Sequence, residues 1–249
     1  MILAVDAGNS NIVLGCMEGL EIRHTLRLKT DRAMSAAGYT VTLQAALAQA
    51  GFSVAGFEGG ILSSVVAAVT EPLRQTLSAL LSGPVLVVGK TAKTTLPLCI
   101  DQPETIGADL IAAAEGALAQ YAPPLVLIDM GTATTFSVLD KSGAIAPGVQ
   151  LGAEALTQRT GLPMTELSAP QSPLSHSTTD CLRSGIIYGA AAMVDGVLDR
   201  LETALGTPVT TIATGGLARC VIPHCRRPVT LDDQLLLRGL AVMYRREMT

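Results

Sequence analysis

The chain has no tryptophan and only three phenylalanines and four tyrosines among 249 residues. Its core must therefore be assembled from Ala, Val, Leu and Ile. Basic clusters are equally scarce. Arg226-Arg227 and Arg245-Arg246 are isolated pairs, which read as solvated surface. With a net charge of −4, the chain has no stripe of Lys and Arg to bind nucleic acid directly. No apolar run approaches the roughly 18 residues that would span a bilayer. Met1 leads straight into Ile2-Leu-Ala-Val-Asp6, without a basic segment ahead of an apolar one. A cytoplasmic protein without membrane association is the expectation. The five cysteines (Cys16, Cys99, Cys181, Cys220 and Cys225) are odd in number and form no Cys-x-x-Cys pair. They read as small hydrophobes in a reducing compartment. Cys220, His224 and Cys225 lie close in sequence but lack the fourth ligand of a zinc site.

What is present is apolar mass. Hydrophobic residues make up 49% and charged residues 15%, so a large core is available and disorder is not expected. The length fits two compact domains sharing a cleft, or one large domain. The chain also repeats itself. Ile2-Leu-Ala-Val-Asp6-Ala-Gly8-Asn-Ser10-Asn11 and Leu125-Val-Leu-Ile-Asp129-Met-Gly131-Thr-Ala-Thr134-Thr135 follow one pattern. Four apolar residues form a buried strand, an Asp ends it, and a Gly one residue later opens a run of small polar residues. Second strands follow at 12–16 and 136–139, so each unit is a β-hairpin with a Gly-containing turn. Matched openings of this kind imply an internal duplication.

Elsewhere strands and helices alternate. Strands are predicted over 21–28, 60–64, 84–88, 143–147 and 209–213. Helices are predicted over 37–50, 108–120, 151–159, 180–205 and 232–245, with another capped by Thr70-Glu71-Pro72. The pattern indicates an α/β fold with mixed sheets. The Pro pair in Tyr121-Ala-Pro-Pro124 marks a boundary, giving domains 1–120 and 121–249.

The repeated loops suggest their chemistry. A Gly turn after a strand lets backbone N–H groups approach a phosphate, and Asn9, Ser10 and Asn11 add neutral donors. An Asp at the strand end repels phosphate unless a cation lies between them. Each loop therefore reads as phosphate plus metal, against the alternative of an ordinary hairpin turn. Gly215-Gly216 follows a strand and suits close passage over a planar ligand such as adenine, or a plain strand-to-helix turn. Asp109, in Gly107-Ala108-Asp109-Leu110, opens an almost uncharged helix. It is either a general base for an alcohol or a carboxylate favoured by the helix dipole. His24, His176 and His224 show no partner that would make them bases. Neither a P-loop nor a dinucleotide fingerprint is present.

Over nearly its whole length the chain resembles the type III pantothenate kinase family, of the actin/Hsc70/sugar-kinase superfamily. The resemblance lies in the two Asp-x-Gly loops, Leu28-Lys-Thr-Asp-Arg32, Ser63-Ser-Val-Val66, Pro103 through Asp109, Ile145-Ala-Pro-Gly148, Ser184-Gly185, Val194-Asp195-Gly196 and Ala213-Thr-Gly-Gly216, in the family's order. It implies two actin-like (ribonuclease H-like) domains with mixed sheets flanked by helices and an ATP cleft between them. It implies ATP-dependent phosphorylation of pantothenate's primary hydroxyl, the first step of coenzyme A biosynthesis, in a homodimer that needs Mg²⁺ and a monovalent cation, K⁺ or NH₄⁺. By position, ATP falls to Asp6, Ala7, Gly8, Asn9, Ser10, Asn11, Ile12 and Val13, with Gly131, Thr132, Gly215 and Gly216. Mg²⁺ falls to Asp6 through water, and the monovalent cation to Asp129. Gly107, Ala108, Asp109 and Leu110 fall to the acceptor, with Asp109 as base and Thr178 reaching it across the dimer. Where the family usually carries Arg after the base, this chain has Leu110. Ile100, Ser177 and Leu235 also replace the family's usual Tyr, Asn and Thr. Arg183 and Arg159 are the alternative partners for the acceptor's carboxylate. The other readings are a kinase of the same architecture with a less charged acceptor, and a nucleotide-binding regulator without turnover.

Overall fold

The computed structural model describes residues 1–131, 133–140, 145–152, 168–170, 172–174 and 177–249, with backbone alone for 145–152. The chain divides into two compact units. The first comprises Met1–Leu96, Asp101–Gln120 and Gln234–Thr249, and the second Pro97–Ile100 and Tyr121–Asp233.

In the first unit, β1 (Ile2–Ala7), β2 (Asn11–Glu18), β3 (Glu21–Lys29), β4 (Gly59–Ser64) and β5 (Val85–Val87) form one sheet in the order β3-β2-β1-β4-β5. Three helices accompany them: α1 (Ala36–Gln49), α2 (Ala67–Leu80) and α3 (Ala108–Leu118). β1 pairs antiparallel with β2 and parallel with β4. Strand alternation sends Leu3, Val5 and Ala7 to one face, where they pack with Tyr39, Leu43 and Leu47 of α1 and Leu73 and Leu77 of α2. Ile2 and Ala4 face the other way, with Ile111 and Ala112 of α3.

The second unit repeats the plan. β6 (Leu125–Met130), β7 (Ala133–Leu139), β8 (Ile145–Gly152), β9 (Thr210–Thr214) and β10 (Thr230–Leu231) are ordered β8-β7-β6-β9-β10. β6 pairs antiparallel with β7 and parallel with β9. β1 and β6 even share one alternation, four buried residues, a half-buried Asp and a buried residue. α4 (Thr178–Leu205) lays Ile187, Ala191, Val194 and Leu198 against Val126, Ile128 and Met130, and α5 (Ala218–Val221) joins the same core. By length and composition alone α4 is apolar enough to cross a membrane. Its buried stripe is nonetheless committed to this core.

The structure corrects several expectations. α6 (Leu235–Met248) belongs with the first unit, although the boundary at 120/121 assigns it to the second domain. Its Leu240, Ala241 and Met243 complete the α3 face of the first sheet. The reason is a close helix crossing. A Cβ on Gly116 would overlap Leu235 O, and one on Gly239 would overlap Ala112 O, so only glycine lets these backbones meet. Arg246 is not solvated surface. Its Nη1 donates to Glu115 Oε1 and Oε2 at 2.9 and 3.0 Å, and Glu115 is only 6% exposed. Pro72 lies inside α2 rather than at its start, because the buried stripe already begins at Val69. Residues 145–152 form one strand, so Leu151 and Gly152 are not helical, and the rest of the helix predicted over 151–159 lies outside the described residues.

Candidate active site

The two Asp residues at the strand ends occupy equivalent places. Asp6 pairs in register with Val13 of β2 and Ser63 of β4. Asp129 pairs with Thr135 of β7 and Thr214 of β9. Both carboxylates are half-buried where central strands run out, the end of a parallel pairing where α/β proteins present ligands.

The turn after Asp6 is closed by a hydrogen bond from Gly8 N to Asn11 O at 3.0 Å. Thr30 braces it from outside. Its Oγ1 donates to Gly8 O at 2.7 Å and its N–H to Ser10 O at 3.1 Å. Arg32 Nη2 donates to Asn9 Oδ1 at 3.0 Å. The turn is thus preorganised, with Asn9 and Ser10 exposed and Asp6, Gly8, Asn11 and Val13 half-buried. Ala7 and Ile12 have side chains wholly in the core, so they offer a ligand only backbone.

At the second loop, Gly131 N donates to Ala133 O at 3.1 Å. Gly215 has φ +93°, and a Cβ there would stand 2.5 Å from Asp129 Oδ1 and 2.6 Å from Met130 C. A side chain is therefore excluded at Gly215 by both conformation and space. Leu217 N donates to Met130 O at 3.0 Å, tying the glycine pair to the strand that carries Asp129. Gly216 is exposed. Thr132 lies outside the described residues.

Asp109 sits in the first turn of α3, whose face packs on the same side of the first sheet as Asp6. Gly107 caps the helix, and its added Cβ would overlap Asp109 Oδ1 and stand 3.6 Å from Val65, just beyond β4. Glycine is required there for the carboxylate to fold back. Asp109 Oδ1 accepts from Leu110 N at 2.8 Å. Burial pushes the Asp109 carboxyl above the ordinary carboxylate range, outweighing its backbone hydrogen bonds. A base raised this way is better matched to neutral pH than an exposed Asp. Ala108 and Leu110 are half-buried beside it.

Thr178 is exposed at the start of α4, where Ser177 Oγ accepts from Asp180 N at 3.4 Å. Arg183 lies 3.6 Å from Asp180, and Arg159 lies outside the described residues. His24 lies tilted against Phe52 and His224 meets Tyr188 edge-on, both histidines being exposed, while His176 lies outside the described residues. Among the described residues, no group of three or more His, Cys, Asp or Glu is arranged to hold a metal. Sequence reasoning gave no role of their own to the hydroxyls that flank both carboxylates: Ser63, Thr135 and Thr214. The available signal was a Ser or Thr ending each parallel neighbour strand.

A family model described as type III pantothenate kinase matches residues 2–200. A type III pantothenate kinase of Exiguobacterium sp. is 38% identical over 252 residues, covering 99% of both chains. A solved structure from Campylobacter jejuni, described as a conserved putative Baf family transcriptional activator, superimposes with TM-score 0.62 at 16% identity, covering 99% of this chain and 98% of that one. An inorganic polyphosphate/ATP-glucomannokinase from Arthrobacter sp. superimposes with TM-score 0.55 at 15% identity, covering 99% and 98%. The fold is that of the actin-like and sugar-kinase group, an α/β class of mixed sheets flanked by helices.

Proposed function

The chain belongs to the type III pantothenate kinase family, and we propose from this membership that it transfers the γ-phosphoryl group of ATP to the primary hydroxyl of pantothenate, opening coenzyme A biosynthesis. The observation that most supports this reading is Asp109, a half-buried carboxylate with a raised pKa, carried on the same sheet face as Asp6. The turn from Asp6 to Val13, with Gly131, Thr132, Gly215 and Gly216, is assigned to ATP. Gly107 to Leu110 and Thr178 are assigned to the acceptor.

In this reading Asp109 accepts the proton of the acceptor's hydroxyl. The oxygen forms a bond to the γ-phosphorus as the bond to the β-phosphate oxygen breaks, and ADP leaves. The braced turn, closed by Gly8 N–H on Asn11 O, would present the N–H groups beyond Gly8 to phosphate oxygens without reorganising. Asp6, oriented by the Ser63 hydroxyl, fits Mg²⁺ held through water. Asp129, with hydroxyl-bearing neighbours on both adjacent strands, fits a monovalent cation. Bound there, the two ions would neutralise phosphate charge.

A homodimer is the proposed assembly, through the outer face of α4. There Gly185 and Gly189 are exposed, with none of the described residues within 4 Å of an added Cβ, beside half-buried Leu182, Ile186 and Met193. A cytoplasmic setting fits this metabolic role.

The test is ATP consumption by purified protein with pantothenate and a panel of small alcohols and hydroxy acids, in KCl, NH₄Cl or NaCl. Pantothenate-dependent ADP release in KCl and NH₄Cl, with a phosphorylated pantothenate by mass spectrometry, is expected. ATP binding without pantothenate turnover would overturn the substrate assignment, and equal rates in the three salts would overturn the cation at Asp129.

A further inference from the structure

The two matched hairpins differ at one informative position. Opposite Asp6, the antiparallel neighbour is Val13, and opposite Asp129 it is Thr135. Directly paired residues share a face, with Cβ atoms roughly 5 Å apart. Thr135 Oγ1 is fully buried and has no hydrogen-bond partner among the described residues. A buried hydroxyl left unpaired destabilises the fold relative to an isosteric apolar group. The first unit demonstrates that valine fits this place in the hairpin. The second unit therefore retains a hydroxyl that no described group of its fold uses.

We propose that Thr135 is a cation-binding residue, its hydroxyl oxygen held for a dehydrated monovalent cation beside Asp129. The inference rests on the cation reading given above. A phosphate oxygen is the wrong occupant for this position, because it would approach the Asp129 carboxylate and be repelled. A cation takes the carboxylate and neutral hydroxyl oxygens together. A β-branched side chain has few χ1 choices, so Thr135 presents its oxygen with little ordering cost.

The contrast also sorts the ions between the loops. At Asp6 the Ser63 hydroxyl commits its proton to the carboxylate at 3.0 Å, and Val13 offers no oxygen. That suits Mg²⁺, which sheds water reluctantly and keeps several of its own ligands. At Asp129 an additional protein oxygen can replace water, which favours a larger and more weakly hydrated ion.

The experiment measures thermal unfolding of the full chain with ADP in KCl, NH₄Cl, NaCl or tetramethylammonium chloride at equal ionic strength. The parent, Thr135→Val and Thr135→Ser are compared. The parent's midpoint is expected to rise with KCl relative to tetramethylammonium chloride. Thr135→Val should match or exceed the parent in tetramethylammonium chloride, yet need about tenfold more KCl for the half-maximal rise. Thr135→Ser, which keeps the oxygen, should stay close to the parent's KCl dependence. A valine variant with the parent's KCl dependence overturns the assignment of Thr135 alone. So does a valine variant that unfolds earlier in tetramethylammonium chloride or fails to fold, since the hydroxyl would then serve the fold. So does a serine variant that loses the response. If the parent itself shows no response to KCl or NH₄Cl, the cation reading at Asp129 falls and takes this inference with it.

Discussion

The hydroxyl of Ser63 donates a 3.0 Å hydrogen bond to Oδ1 of Asp6, joining the ends of two parallel strands. It fixes the carboxylate of the first loop in one orientation before any ligand arrives. A hydrogen bond to a charged group contributes about 1.5–3 kcal/mol. Ser63→Ala is therefore expected to raise the Michaelis constant for MgATP by roughly ten- to a hundredfold. Maximal rate should fall less. Titrating Mg²⁺ at fixed ATP locates the effect, and an unchanged MgATP constant would show that Asp6 is oriented without Ser63.

Asp109→Asn is expected to lower turnover by about 10²–10⁴-fold while leaving ATP binding near normal. The amide keeps the shape but cannot take the proton. A variant retaining more than about a tenth of the rate would assign Asp109 to structure. The raised pKa adds a pH signature. A base works deprotonated, so kcat/KM should climb with pH through a midpoint above the ordinary carboxylate value. Stability runs the opposite way. The folded state holds this proton more tightly than the unfolded one, so the Asp109 contribution is fully present below the unfolded pKa. It is lost as pH rises through the folded pKa. Asn carries no charge to desolvate, so denaturant midpoints of the variant should gain on the parent across that window.

Leu110 follows Asp109, the proposed base, and offers a carboxylate neither charge nor side-chain donor. If pantothenate is accepted without that contact, Leu110→Arg should lower its Michaelis constant by roughly ten- to a hundredfold, with a smaller change in maximal rate. Arg is the informative choice because its planar fork can engage a carboxylate through two bonds. A loss from high starting activity would mean that another residue already holds the carboxylate. Inactivity before and after, with ATP still bound, would favour a less charged acceptor.

Glycine within an exposed helix costs roughly 1 kcal/mol relative to alanine. Gly185 and Gly189 incur this cost on one face of α4. Close approach of a second copy would offset it. Light scattering at micromolar concentration should give twice the 25.7 kDa chain mass, and Gly189→Arg should shift the population to monomer. A monomeric parent would remove both the dimer and the role of Thr178 across it.

Much of the fold was legible in the sequence because its signals are local. The two runs ending in Asp6 and Asp129 predict their strands, turns and mutual resemblance, and the matching sheet orders follow from them. What escaped was decided by partners distant along the chain. α6 carries an ordinary amphipathic pattern that does not name the sheet it covers, since that choice lies in the fit of Gly239 against Ala112. Arg246 looks solvent-facing until Glu115 is placed beside it across 131 residues. At the candidate site the carboxylates stood out, while the place of Ser63 and Thr135 beside them became visible only through strand register. Pro72 was a true helix signal misplaced by a turn, because burial of Val69 outweighs the preference of proline for the first turn.

The return of α6 to the first sheet has a consequence for how the protein is made. A ribosome releases residues 1–120 long before 235–248, so the nascent first sheet waits, with Ile2, Ala4 and Ile61 incompletely covered, while the whole of the second unit is synthesised. The described apolar core of the second unit lies between Val126 and Val229, so it is synthesised before the last helix and can close on the ribosome. The order of completion is therefore the reverse of the order of synthesis, and a stop codon ahead of Leu235 would damage the half of the molecule that was translated first.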